Sequence, residues 1–318
     1  MITIKDVAEK AQVSIATASR ALSQKGYVSD EAYEKVINAA DELGYVANLS
    51  AQQLKNSSSR TIGFIISDIS NEYYFSILSN IQKMLMEHGM NLIIAFSSEN
   101  PTDEQNSFRS LIASRVSAIL FTPTSKDNIE IINTARKNGI RVIQLFREVY
   151  SDLDAIVNDD ESGCMQAAQE LINSGCKKLL LIDVEYEYLD FDKVKPNRSN
   201  GFLKAIKEHP DVQYEIMHFP LVNYNTSILF KKIQSFNPDG IITATNVAGL
   251  CVLKYLKANN LKTKLVTFDD NNWLDYCSVS AIRQNTEILT ECIYDFIQCK
   301  KTPANKQSIP QKLILRNI

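Results

Sequence analysis

Short apolar runs separated by amphipathic stretches fill most of this chain, and that alternation limits its fold more than any other feature. The runs are TIGFII, NLIIAF, AILFT and RVIQLF, followed past Asp154 by KLLLID, GIITAT and KLVTF. Bounded apolar runs this short read as strands covered on both faces. The stretches between them have helical spacing: from Tyr74 to His88, residues Ile77, Leu78, Ile81, Met84 and Leu85 form one stripe. Strands alternating with helices build parallel sheets with helices on both sides. Two such sets in succession predict an α/β core of two doubly wound parallel-sheet subdomains. A ligand cleft is then expected outside the carboxyl ends of the strands.

The first 45 residues lack this alternation and read as three short helices. Ile4, Val7, Ala8 and Ala11 have helical spacing, and Gln12-Val13 is a tight connection. Ser14 is a good N-cap for a second helix over 15–22. After a break at Lys25-Gly26, Ser29 caps a third helix, with Asp30 and Glu31 in the first turn, where the helix dipole favours anions. Its apolar face is Val36, Ile37, Ala40 and Leu43, and Gly44 ends it. Residues 46–60, VANLSAQQLKNSSSR, turn polar and small, as a linker does. A helix from Asn48 to Leu54 would be too short to persist alone in water.

Charge does not announce the partner. The formal net charge of the 318 residues is −3. In residues 1–60, Lys/Arg at 5, 10, 20, 25, 35, 55 and 60 are matched by Asp/Glu at 6, 9, 30, 31, 34, 41 and 42. A nucleic-acid surface is normally basic, so here it would have to come from distribution, with the acidic residues of the third helix facing away. No apolar run reaches a membrane span, and the N-terminus has no secretory h-region; a cytoplasmic protein is expected. The six cysteines include no CxxC pair, and His88, His209 and His218 have no ligand spacing, so neither a metal nor another cofactor is expected.

The segment TIKDVAEKAQVSIATASRALSQKGYVSDEAYEKVINAADELGYVAN resembles the DNA-binding domain of the lac-repressor (LacI/GalR) family. The matching positions are Ile4, Asp6-Val7-Ala8, Ala11, Val13-Ser14, Thr17, Ser19-Arg20, Val28-Ser29, Val36, Ala39, Glu42-Leu43-Gly44-Tyr45 and Asn48. The resemblance implies a helix-turn-helix whose second helix enters the major groove. There Ser14, Thr17 and Ser19 offer hydroxyls suited to phosphate oxygens. Arg20 can present its fork to guanine O6 and N7, while Ile15 and Ala16 can only read shape or a thymine methyl. Tyr27 completes the expected contact set of this domain. Asn48, Ala51 and Leu54 match the family's hinge, whose leucine wedges into the minor groove and bends the duplex. Ala47 stands where the family usually has proline.

From Arg60 onward the chain resembles the family's core, which is like a periplasmic sugar-binding protein. TIGFIISDISNEYYFSIL, RSNGF and FDD are the matching segments. The resemblance places Ser67, Tyr73, Tyr74, Arg198 and Asp269 around a small effector. Aromatic faces combined with a few charged, hydrogen-bonding groups are what sugar sites use. Trp273 lies four residues past Asp269 in an expected cleft loop. Phe146-Arg147 replaces the family's Asp-Arg, and Ala244-Thr245-Asn246 its Ala-Asn-Asp. With two acceptors lost and both arginines kept, these departures favour an anionic or less hydroxylated ligand. The expected limits are 1–45 for the helix-turn-helix domain and 46–59 for the hinge. Residues 60–159 with 285–308 form one core subdomain, and 160–284 with 309–318 the other. No leucine-heptad tail follows Arg316, so a homodimer on a pseudo-palindromic operator is implied.

The reading is therefore a DNA-binding transcriptional repressor controlled by a sugar or sugar derivative. The same regulator governed by a purine-like corepressor or a partner protein is the alternative. A sugar-binding protein without a DNA role conflicts with the first 45 residues. An enzyme is not expected: no GxGxxG, Walker or nucleophile-elbow pattern occurs, and Asp269-Asp270, adjacent at a strand end, point in opposite directions, so no catalytic residue is assigned.

Overall fold

The computed structural model describes residues 2–23, 26–45, 59–68, 72–185, 197–220, 225–299 and 305–316. By its contacts the chain divides into two units, 1–59 and 60–318. The hinge residues Asn48, Ala51 and Leu54 lie outside the described residues.

The first unit holds α1 (Ile4–Lys10), α2 (Ile15–Ser23) and α3 (Asp30–Leu43). Its core is small and alanine-rich: Val7, Ala8, Ala11, Ala18, Ala21, Val36, Ala39 and Ala40. Small side chains let three short helices approach closely enough to bury one another. The ends are fixed by local chemistry. The Asp6 carboxylate accepts from the Thr3 backbone N–H at 2.7 Å and from its hydroxyl at 2.8 Å. The Ser29 hydroxyl accepts from the Ala32 N–H, and Gly44 ends α3 at φ +61°, a conformation costly for a side chain.

The second unit is built on two six-stranded sheets. Its strands are β1 (Thr61–Ile66), β2 (Asn91–Phe96), β3 (Ala118–Phe121), β4 (Arg141–Leu145), β5 (Asp154–Asn158), β6 (Lys178–Glu185), β7 (Gln213–Pro220), β8 (Gly240–Thr243), β9 (Lys264–Phe268), β10 (Ser280–Gln284), β11 (Lys306–Ile309) and β12 (Gln311–Ile314). The helices between them are α4 (Glu72–Glu87), α5 (Pro101–Ala113), α6 (Ile129–Lys137), α7 (Asp160–Asn173), α8 (Asn197–Lys207), α9 (Thr226–Phe236), α10 (Asn246–Ala258), α11 (Asn272–Cys277) and α12 (Thr286–Gln298).

The first sheet runs β11-β5-β4-β3-β1-β2 and is parallel throughout. The second runs β12-β10-β9-β8-β6-β7, with only β12 antiparallel. The two sheets therefore repeat one strand order. Each is sandwiched between apolar clusters, as the unbroken runs Ile62–Ile66 and Leu179–Ile182 require. The chain crosses between sheets after β5, after β10 and after β11. All six cysteines are free thiols. No helix among the described residues is long and apolar enough to cross a membrane, and no cluster of three metal-binding side chains occurs among them.

Candidate functional site

On the helical unit, the buried Ala18 and Ala21 turn one side of α2 into the core, which sets the opposite side on the surface. Ile15 is 46% exposed at the first position of the helix, and Ala16 and Arg20, one turn apart, are exposed beside it. Thr17 and Ser19 are half-buried. The Ser14 hydroxyl accepts from the Thr17 N–H at 3.0 Å and is hydrogen-bonded to the Thr17 hydroxyl at 2.8 Å. Tyr27 is 92% exposed. On α3, Glu31 pairs with Lys35 and Glu42 with Lys10, each at 2.7 Å.

In the second unit a cavity opens where the carboxyl ends of the two sheets meet. It is lined by Asp68, Tyr73, Tyr74, Glu99, Phe146, Arg147, Asn158, Asp160, Val184, Arg198, Thr245, Asp269 and Gln284. Counted with its open mouth and the solvent there, its space is about 550 Å³. A smaller recess adjoins it through Asp68, Val184 and Thr245.

One wall comes from the first sheet and sets three aromatic rings beside an Arg147–Glu99 pair. Tyr73 and Tyr74 stand in the first turn of α4 with ring centroids 5.9 Å apart. Phe146, just past β4, meets both edge-on at 5.6 and 5.5 Å. The Tyr73 hydroxyl accepts from Asn158 Nδ2 at 3.1 Å, and burial raises its phenol well above the usual value. It stays a neutral donor at any physiological pH. Arg147 donates to both oxygens of Glu99, at 2.7 and 2.6 Å, and to the Pro123 carbonyl at 3.0 Å. Behind them lies Glu104, fully buried. It accepts from the Thr124 N–H and hydroxyl at 2.7 and 3.0 Å and from Asn128 Nδ2 at 2.7 Å. Burial outweighs these bonds and pushes its carboxyl up to about 7.

The other wall comes from the second sheet and is charged. Arg198, in the first turn of α8, lies over the Phe268 ring at 4.5 Å and pairs with Asp160 at 3.0 Å. Burial raises the Asp160 carboxyl, against the opposing pull of Arg198. Asp269 accepts from Gln284 Nε2 at 2.6 Å. Gly201 explains the RSNGF spacing: a Cβ there would sit 1.9 Å from the Glu161 carbonyl oxygen. Only glycine lets α8 come this close to α7, and that contact brings Arg198 to Asp160.

Of the residues expected at the effector, the structure brings together Tyr73, Tyr74, Phe146, Arg147, Arg198 and Asp269. Three lie elsewhere. Ser67 is fully buried behind Tyr74, whose hydroxyl it meets at 3.2 Å. Asn246 is buried at the start of α10, where its neighbour Thr245 caps the helix and takes the place at the cavity wall. Trp273 packs against the hydrophobic core of the second half, next to Leu274 of the same helix, which is fully buried there. Asp270 is not in the cavity lining and pairs instead with Arg283 and Arg316. The expected cationic surplus is also absent. Arg147 is matched by Glu99 and Arg198 by Asp160, and the lining holds four carboxylates against two guanidinium groups. Glu99, Asn158, Asp160 and Gln284 all sit at or just past the carboxyl end of a strand, so applying that rule to every strand would have found them.

Comparison with known proteins matches both parts of the chain. Residues 3–48 match the model for bacterial regulatory proteins of the lacI family. Residues 59–272 match that for periplasmic binding proteins and the sugar binding domain of the LacI family. The chain is 27% identical over 296 residues to the ribose operon repressor of Lactococcus lactis, covering 90% of this chain and 86% of that one. It is 26% identical over 324 residues to the sucrose operon repressor of Streptococcus mutans, covering 98% and 96%. The lac repressor dimer bound to operator and the anti-inducer ONPF superposes with a TM-score of 0.79 at 22% identity, covering 99% and 98%. The Cra regulator of Pseudomonas putida in complex with fructose 1-phosphate gives 0.72 at 20%, covering 82% and 100%. A helix-turn-helix unit followed by a two-sheet sensor, matched in both parts by the family's own models, makes this chain a member of the LacI family of DNA-binding transcriptional regulators.

Proposed function

We propose that the chain is a homodimeric repressor whose operator affinity is set by a sugar or sugar derivative held between the aromatic and charged walls of the cleft. The observation that carries this reading is the pairing of Tyr73, Tyr74 and Phe146 with Arg198, Asp269 and Gln284 across one cavity. Sugar rings present flat C–H faces to aromatic rings and hydroxyl edges to planar hydrogen-bonding groups. Relatives named for the ribose and sucrose operons, and regulators solved with cellobiose and fructose 1-phosphate, support the class. Because each sheet supplies one wall, the ligand binds best at one angle between the halves, and it shifts the protein toward that state. Operator and effector must then alter each other's affinity by the same factor.

On the DNA side, Ser14, Thr17, Ser19 and Tyr27 hold the backbone, Ile15 and Ala16 read shape, and Arg20 reads a guanine. Asn48, Ala51 and Leu54 belong to the hinge at 46–59, which joins the helix-turn-helix domain to a core divided near 159, 284 and 308. Operator selected from random DNA, then titrated with ribose, sucrose, cellobiose and fructose 1-phosphate, tests the whole reading. The expected site is a pseudo-palindrome, released or tightened by at least one of these compounds. Arg198→Ala should bind the same operator yet lose the response, a charge-assisted contact being worth about 1.5–3 kcal/mol. Arg20→Ala should keep the response yet relax one guanine per half-site by about 1–3 kcal/mol. An asymmetric site, or Arg198→Ala responding at wild-type concentrations, would overturn it.

A further inference from the structure

The geometry points to Glu99 as the carboxylate with which the first half of the cleft holds the hydroxyls of an uncharged effector, replacing an acceptor missing at Phe146. This rests on the cleft being the effector site. The two sheets share one strand order, so β4 in the first corresponds to β9 in the second. The residue after β9 is Asp269, at φ +65°; the residue after β4 is Phe146, at φ +68°. The same left-handed backbone thus carries an acceptor in one half and an aromatic ring in the other.

Glu99 restores the missing charge from a neighbouring loop. It lies three residues past β2, where Ser98 and Glu99 take φ +50° and +54° in succession. Two left-handed non-glycine residues in a row are costly and persist where the surroundings hold them for a purpose. Here the Glu99 N–H donates to the Ser67 carbonyl at 2.9 Å, and the carboxylate grips Arg147, the residue beside Phe146, at both oxygens. The Pro123 carbonyl holds that guanidinium from another side. Each carboxylate oxygen has two lone pairs and gives one to Arg147, which leaves acceptors for ligand hydroxyls. Both members of the pair line the cavity.

The pair also selects by charge. An anionic ligand would enter a cavity with four carboxylates and two guanidinium groups, and would have to displace Glu99 to reach Arg147. An uncharged polyhydroxylated ligand donates to the same carboxylates without that opposition. The class is therefore a neutral sugar or polyol, not a sugar phosphate or sugar acid.

The test is calorimetric titration of full-length wild type, Glu99→Gln and Glu99→Gln/Phe146→Asp. The probes are ribose, glucose, sucrose and cellobiose against fructose 1-phosphate and glucuronate. Wild type should bind a neutral sugar. Glu99→Gln should lose about 10-fold or more for it, the worth of one charge-assisted contact, and gain for the anions, since Arg147 no longer has its counter-charge. The double variant returns a carboxylate beside Arg147 at a left-handed position that Asp adopts more readily than Phe. It should bind the neutral sugar within a few-fold of wild type, and it remains the readout if the single variant does not fold. Neutral-sugar affinity unchanged in Glu99→Gln, or a wild type that binds only anions, overturns the assignment while leaving the cleft in place. A wild type that binds none of the six overturns the cleft reading and this one with it.

Discussion

Tyr73, Tyr74 and Phe146 face the cleft from the first sheet, whereas Arg198, Asp269 and Gln284 face it from the second. The strand orders are the same, so topology does not cause the difference. What differs is how each wall is held. The aromatic wall is held by ring packing, by hydrogen bonds at its hydroxyl edges and by the Arg147–Glu99 pair, which joins two loops beside Phe146. The charged wall is held by a backbone contact at Gly201 and by the Arg198–Asp160 pair it brings together. Rings that pack against one another can shift together around a ligand. A charge pair set by two helices in backbone contact cannot move without moving the helices, so the charged wall should be the stiffer of the two.

The strongest way to break that contrast is Gly201→Ala. A Cβ would stand 1.9 Å from the Glu161 oxygen and 2.8 Å from its carbonyl carbon, both backbone atoms that cannot rotate away. Relief requires α8 to retreat from α7, at about 3 kcal/mol of stability, the upper part of the usual overpacking range. Arg198 sits one turn earlier on the same helix. Effector binding, followed by titration of operator-bound protein, should weaken with the melting temperature. A variant that melts lower and binds effector normally would show that Arg198 is positioned by something other than this helix contact.

The two walls also differed in how far the residues alone revealed them. In the helical unit, caps such as Ser14 and Ser29 and the stop at Gly44 act within four residues, so their spacing is legible directly. Arg198 and Asp269 were legible because each lies in a short matched segment beside a strand or helix end. Trp273 was misplaced because following a cleft residue by four positions does not say which way the next helix turns, and here it turns into the core. Glu99 and Asp160 were legible as positions past a strand end, but not their pairing with an arginine far away in the chain, 48 residues for Glu99. No local pattern encodes such a pair. The same long-range pairing bears on ligand charge, since counting Arg147 and Arg198 along the chain leaves out Glu99 and Asp160, which meet them in the fold.

A second prediction concerns the layer behind the aromatic wall. Glu104 has an ordinary carboxyl value of 4.5 when exposed and about 7 in the folded protein, chiefly through burial. Between those values the folded state keeps a proton that the unfolded state has released. The folded state is then favoured at low pH, and this contribution is lost as pH rises through 7. The full swing is about 3 kcal/mol. Glu104→Gln, uncharged at every pH and still able to accept from Thr124, should remove it. Urea midpoints at pH 5 and pH 8 should fall further for wild type than for the variant. Equal falls would assign the pH dependence to other groups.

The smallest expected effect is the most discriminating, because it separates two tyrosines of the same wall. The Tyr73 hydroxyl accepts from Asn158, the last residue of β5, two positions before Asp160 begins the second half. The Tyr74 hydroxyl meets Ser67, at the end of β1 within the first half. Removing either hydroxyl as Tyr→Phe leaves one buried polar partner short of a bond, a loss of about 1 kcal/mol in stability. The consequences for binding should diverge. Tyr73→Phe frees the strand end that leads into the Arg198–Asp160 pair, so effector affinity should fall by about five-fold, that same 1 kcal/mol appearing at the ligand. Tyr74→Phe loosens a contact that stays inside one half, so its effector affinity should stay close to that of wild type. Titration of both variants with whichever sugar the wild type binds decides the point. If both lose affinity equally, the aromatic wall acts as one stacked surface and the hydrogen bond across to Asn158 carries no special coupling.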